Sequence, residues 1–284
     1  MGGTVLHTTA VGGDREVLFG LRKGLRGQVH STFRSVINIS TGQPELLSLT
    51  SASVARGPRS IRLGLDRMDH YGVERGDAVV SDGHTLCVGE SLVVIVAATP
   101  VWEDLQTDGI PVAERVAQLH ALLGTPHSLL GTTPFEKDVA ERVRRGVASL
   151  RTGVLSRDEA TTQSAAFSLA GLGIGLTPTG DDILTGAAFV ATKLGGALDL
   201  VHRSVTRVVE DEPTNDLSLT ALRCALRGRA VQPIEELYAW LCGANTDNPN
   251  HLVADVKAIG HTSGADLALG LLTAVRLHHE SQER

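Results

Sequence analysis

Aromatic residues make up only 3% of the 284 positions. That scarcity disfavours the stacking platforms on which single-stranded nucleic acids are held. A basic excess is also missing: the formal net charge is -6, so no positive field points to nucleic acid or to an anionic membrane surface. Cysteine is rare and odd in number. Cys87, Cys224 and Cys242 show no C-x-x-C spacing, which argues against a disulfide framework or a structural zinc site, fits a reducing compartment, and leaves burial as small apolar residues as the expectation for each. No stretch approaches the ~20 apolar residues of a membrane span, and no basic-then-apolar leader opens the chain, so a soluble, cytoplasmic protein is expected. Also absent are a Gly-x-Ser-x-Gly elbow, a His-Glu-x-x-His pair and a Gly-Lys-Ser/Thr phosphate loop.

What is present first is a β-like N-terminal third. Residues 16–21, 28–33, 35–39 and 45–49 are strand-sized runs separated by Gly, Pro and Thr-Gly breaks. Asp82-Gly83 stands between residues 77–81 and 85–88 as a tight hairpin turn, and Leu92 to Val96 reads as a strand buried on both faces. Short strands with little helix between them predict a small antiparallel barrel or sandwich. Beyond Pro111 the period becomes helical, with Val112, Val116, Leu119 and Leu123 on one face. Thr133-x-x-Glu136 and Ser156-x-x-Glu159 have the form of capping boxes; Thr214 or Asn215, Pro233 and Pro249 start further helices. His202, His278 and His279 are expected to be solvated on amphipathic or frayed helices. The expected fold is α+β: a β-rich barrel or sandwich-like domain over residues 1–105, then a larger all-α domain over 106–284.

Within the helical part lies Ala170-Gly171-Leu172-Gly173-Ile174-Gly175-Leu176-Thr177-Pro178-Thr179-Gly180-Asp181-Asp182. Three alternating glycines let the backbone take up φ > 0 or come close to a ligand. Thr177-Pro178 suits the N-cap and first position of a helix running to Leu194, whose start would offer N–H groups to an anion. The spacing is not the dinucleotide fingerprint, and no strand-helix-strand alternation surrounds it. Asp181 and Asp182 fall in the first turn. One acid there is accounted for by the helix dipole. Two adjacent acids, about 100° apart around the helix, repel each other, and a shared Mg²⁺ or a cationic group would relieve that.

The plan recurs at Gly260-His261-Thr262-Ser263-Gly264-Ala265-Asp266-Leu267-Ala268-Leu269-Gly270, one residue shorter. Asp266 matches Asp182 if the segments are aligned on their central glycines, and Asp181 if aligned on their threonines. If the two helices pack as a pair, Gly186 and Gly270 permit close approach and both starts face one ligand. His261, by itself an ordinary surface histidine, becomes through this position a candidate proton donor. Asn38, between Ile37 and Ile39, is a polar residue in an apolar strand, explained by turn or edge contacts or, less simply, by a ligand. Gly57-Pro58-Arg59 reads as a plain turn in which Arg59 is able to meet an anion.

The glycine-rich Thr-Pro-Thr-Gly-Asp-Asp run resembles a bacterial family whose best-understood member is a subunit of the catabolic oxamate carbamoyltransferase of allantoin degradation. Residues 35–39, 46–49, Gly57-Pro58 and Gly260 to Asp266 resemble further landmarks of that family. Ala265 departs from it, standing where a larger residue is expected. The resemblance implies a subunit of a hetero-oligomer that interconverts oxalurate plus phosphate with oxamate plus carbamoyl phosphate, beside an acyl-CoA-synthetase-like subunit and a further one. Under it Asp181, Asp182 and His261 are candidate catalytic residues, with Asp181 and Asp182 holding Mg²⁺ if a metal takes part. Gly171, Gly173, Gly175, Thr177, Thr179, Gly180, Thr262, Ser263, Gly264, Asp266 and Asn38 are candidate contacts to an anionic substrate, carbamoyl phosphate, oxamate or a related ureido acid. Two alternatives stand beside this: a magnesium-dependent hydrolase, and a non-catalytic scaffold subunit that binds an anion.

Overall fold

The computed structural model describes residues 5–103, 105 and 107–283. The chain divides into two compact units, Met1–Asp104 and Leu105–Arg284, and the architecture is α+β.

In the first unit the strands are β1 (Leu6–Asp14), β2 (Arg26–Thr32), β3 (Val36–Ser40), β4 (Leu47–Thr50), β5 (Ser60–Leu63), β6 (Ala78–Ser81), β7 (Thr85–Val88), β8 (Leu92–Ile95) and β9 (Val101–Trp102). They run in the order β5-β4-β3-β2-β6-β7-β8-β1-β9, and a further β5–β1 pairing closes the ring. Closure depends on the length of β1. Its first half pairs with β8 in parallel, Leu6 opposite Leu92. A bulge between Ala10 and Gly12 then lets its second half pair antiparallel with β5, Gly13 opposite Ile61. The result is a barrel with its ring edges paired, and it is not purely antiparallel, because β4–β5 is parallel as well. Alternate residues of each strand, among them Val29, Ile37, Ile39, Leu47, Leu49, Ile61, Leu63, Leu86 and Val94, fill its core.

Three local expectations are corrected here. Residues 16–21 lie in a helix, α1 (Arg15–Arg22), which Asp14 caps by accepting from the N–H groups of Glu16 and Val17; Val17, Leu18 and Leu21 share a helical face, a period that six residues of apolar composition do not distinguish from a strand. In the hairpin only Gly83 has positive φ, because the Asp82 carboxylate accepts from the N–H groups of His84 and Thr85 and holds a longer turn. Cys87 is exposed, since Leu86 and Val88 take the inward positions of β7.

The second unit is helical: α2 (Ala113–Leu123), a 3-10 turn (His127–Leu129), α3 (Pro134–Ser156), α4 (Glu159–Leu169), α5 (Thr179–Leu194), a second 3-10 turn (Gly196–Leu198), α6 (Asp199–Asp211), α7 (Asp216–Ala225), α8 (Gln232–Leu241), α9 (Pro249–Lys257) and α10 (Ser263–Gln282). The Thr133–Glu136 capping box forms. Ser156–Glu159 does not, because α3 runs through Ser156 and Asp158 caps α4 instead. His278 is 9% exposed rather than solvated, and burial, with His279 beside it, lowers its pKa. Helix α5 is buried on every side from Ile183 to Ala191, with α4, α6, α7 and α10 packed against it. Among the described residues no helix is long and apolar enough to cross a membrane.

Candidate functional site

Helix α4 ends at Leu169 and the chain reverses through residues 170–178 before α5 begins. Gly171, Gly173 and Gly175 make the reversal with φ of +69°, +145° and +107°, values that a side chain would strain. A Cβ on Gly173 would lie 2.3 Å from Thr179 N, so the loop lies flat on the helix start. Thr177 does not cap the helix. Pro178 occupies the N-cap position without a side-chain bond, and the Thr177 hydroxyl stands 2.7 Å from that of Ser263. The loop's own carbonyls complete the start: Gly180 N–H donates to Leu172 O at 2.8 Å, and Asp181 and Asp182 N–H both donate to Pro178 O. Three of the N–H donors at this helix start, those of Gly180, Asp181 and Asp182, are therefore bonded already.

The two adjacent acids diverge. Asp181 accepts from Gly171 N–H at 2.7 Å and from the Thr214 hydroxyl at 2.5 Å, so both its oxygens anchor the glycine loop. Asn215 adds a bond from its side chain to Leu176 O. Asp182 turns the other way, is 5% exposed, and its Oδ2 is buried with no hydrogen-bond partner among the described residues. Burial, reinforced by the charges of Asp266 and Asp181, pushes its pKa up to about 8, against the opposing pull of the Ser263 and Thr177 hydroxyls. At neutral pH this carboxyl keeps its proton.

Asp266 supplies the other half. It is fully buried; its Oδ1 accepts a short bond from Ser128, and its Oδ2 also lacks a partner. Burial raises its pKa to about 6, with the hydroxyls of Ser128, Thr179 and Thr262 pulling down. The pairing of α5 with α10 is reciprocal. A Cβ on Gly186 would lie 2.1 Å from Leu267 O, and one on Gly270 would lie 2.0 Å from Ile183 O. Thr179 of α5 reaches Asp266, and Ser263 of α10 reaches Asp182. Gly180 and Gly264 each sit against the carbonyl of an earlier helix, Leu169 and Val256. The segments therefore correspond through their central glycines, Asp182 with Asp266, and the helices run in the same direction with both starts together.

Of the remaining candidates, the hydroxyls of Thr177 and Ser263 act on Asp182 and those of Thr179 and Thr262 on Asp266, whereas Gly180 and Gly264 pack against the Leu169 and Val256 carbonyls. His261 is exposed at its rim, its ring 6.2 Å from that of His127. Asn38 lies in the barrel unit, where its amide donates to Ser31 and accepts from Ser48, the residues opposite it on β2 and β4. Sequence reasoning missed Ser128 and His127, because single polar residues in a turn follow no period or spacing, and it offered Thr214 only as a helix cap, a place that Asn215 takes. Among the described residues no group of three or more His, Cys, Asp or Glu is placed to hold a metal ion. Asp181 and Asp182 face different partners.

Residues 169–275, from the end of α4 to the middle of α10, match the family model of oxamate carbamoyltransferase subunit AllH. Residues 9–101 match the AllH family N-terminal domain. The chain belongs to the AllH family. Both the glycine loop and its echo fall within the AllH match, so the carboxyl pair is built from residues inside the region that defines the family. No solved structure matches the chain.

Proposed function

We propose that this chain works within an oxamate carbamoyltransferase that interconverts oxalurate plus phosphate with oxamate plus carbamoyl phosphate, and that Asp182 is its proton donor. In the phosphorolysis direction a phosphate oxygen attacks the terminal carbamoyl carbon of oxalurate. The new C–O bond makes carbamoyl phosphate as the C–N bond breaks. The departing oxamate nitrogen must take up a proton, and a carboxyl still protonated at neutral pH supplies it. The proton lost by phosphate restores Asp182, so the step balances; in reverse, ionised Asp182 removes the proton from the oxamate amide. Asp266, the more acidic partner, accepts a hydrogen bond from the substrate's amide group. The observation that carries this reading is a carboxyl buried at the paired helix starts with one oxygen unpartnered among the described residues, and that burial raises its pKa. An acyl-CoA-synthetase-like subunit and a further one complete the assembly in this proposal, and their donors hold the phosphate.

The reconstituted assembly, supplied with oxalurate and phosphate, tests it through carbamoyl phosphate formation. Asp182→Asn is expected to lower kcat by about 10²–10⁴-fold while the chain still folds and assembles. Full activity in that variant removes Asp182 from the chemistry. One observation favours a non-catalytic subunit instead: the N–H groups of Gly180, Asp181 and Asp182 are taken up by Leu172 and Pro178. That reading predicts full activity in the Asp182→Asn and Asp266→Asn assemblies alike.

A further inference from the structure

The barrel unit carries positive charge that the proposed chemistry does not use. Along β5, Ile61 and Leu63 enter the core and Arg62 faces outward. Its neighbours across the sheet are Gly12 on β1 and Thr50 on β4. Gly12 leaves room for Trp102: a Cβ there would lie 2.2 Å from the indole nitrogen. The Arg62 guanidinium lies 5.5 Å from the Trp102 ring, and its Nε is buried without an acceptor among the described residues.

The charge acting on Arg62 is that of another cation. Burial and then the like charge of Arg56 lower its pKa, and among the described residues no ion pair neutralises either side chain. The connecting turn is strained: Arg59 takes φ of +59°, its N–H donates to Asp14 Oδ2 at 3.0 Å, its Nη2 donates to Glu45 O, and its Nε is buried and unpartnered among the described residues. Asp14, 2% exposed, ties this turn to the start of α1. A guanidinium that lies over an indole, feels the like charge of Arg56 and keeps a buried Nε unpartnered among the described residues costs the fold free energy that an oxyanion returns by accepting from it.

We propose that Arg62 and Arg56, with Trp102 behind Arg62, form a binding site for a compact oxyanion, phosphate or the carboxylate of a small acid, on the outer face of the barrel. The site is independent of the role given to Asp182. It places the guanidinium recognition of an anion in the N-terminal unit, whereas the helix-pair site presents carboxyls.

Trp102 provides the readout, because the chain holds one other tryptophan and Trp240→Phe isolates it. In that background, phosphate and oxamate are titrated at constant ionic strength, with chloride as the control, and Trp102 emission is followed. At least one of the two is expected to saturate, and a tenfold difference between them identifies phosphate or carboxylate as the preferred group. Arg62→Gln and Arg56→Gln are each expected to weaken that binding at least tenfold, and Arg62→Lys less. Arg67→Gln, which removes an exposed pair with Asp69, is expected to leave it unchanged. Calorimetry on the chain with both tryptophans repeats the measurement without the Phe substitution. Absence of saturation by either anion in both formats, a chloride curve matching theirs, or unaltered binding in the Arg62→Gln and Arg56→Gln proteins overturns the proposal.

Discussion

Neighbouring Asp181 and Asp182 look equivalent in the sequence, yet their chemistry is set by what each side chain meets. Asp181 meets donors, Gly171 N–H and the Thr214 hydroxyl, and serves as a staple. Replacing it by Ala leaves both donors short of a partner and should cost about 1–3 kcal/mol; the measurements are a lowered melting temperature and faster amide exchange over residues 170–178, and unchanged exchange there would refute the staple role. Asp182 meets burial and other carboxyls. It ionises at its ordinary value near 3.8 when unfolded and near 8 when folded, so its contribution to stability is complete below about pH 4 and is lost as pH rises toward 8; Asp266 acts the same way up to about 6. Thermal stability should therefore fall between pH 5 and pH 9. Asp182→Asn should flatten that slope, gaining about 1–3 kcal/mol on the parent at pH 9 relative to pH 5. Parallel curves for the two proteins would sink the assignment. None of this division was legible from residue type alone, because Thr214 and Ser128 lie far along the chain from the acids they touch.

For the elements, the sequence was most informative where it repeated itself. Gly180, Asp182 and Gly186 recur as Gly264, Asp266 and Gly270, and the helices that carry them pack directly on each other. The echo could not decide between two alignments, since one deleted residue leaves threonine and glycine registers equally good; the reciprocal contact of each second glycine with the opposite backbone decides it. Gly270→Ala must push α10 away from Ile183 O and should cost about 1–3 kcal/mol, seen as a lower denaturation midpoint with an unchanged m-value. Gly175, whose missing Cβ faces open space, suffers only backbone strain when changed to Ala, so the smaller loss belongs there; equal losses would contradict the close approach. Elements whose identity rests on a distant partner were harder to read. The short runs β5 and β9 carry little pattern, and α1 depends on the Asp14 cap rather than on its length.

At the scale of the molecule, each unit has a hydrophobic core built from its own residues. Residues 105–284 expressed alone are expected to give a helical circular dichroism spectrum and one cooperative melt; a molten spectrum without a transition would count against self-sufficiency. The α+β class was legible because the change from strand-length to helix-length periodicity is carried by many residues at once. Barrel closure was not, since it depends on β1 changing partners at a bulge. The contact between α5 and α10 has the form of the isologous interface of a two-fold dimer, in which whatever one copy presents the other presents as well. A dimer of identical chains cannot give its two carboxyls different surroundings. Carrying both halves in one chain removes that restriction: the Gly171 to Gly175 reversal flanks one half, the His127–Leu129 turn flanks the other, and the resident proton has a preferred side.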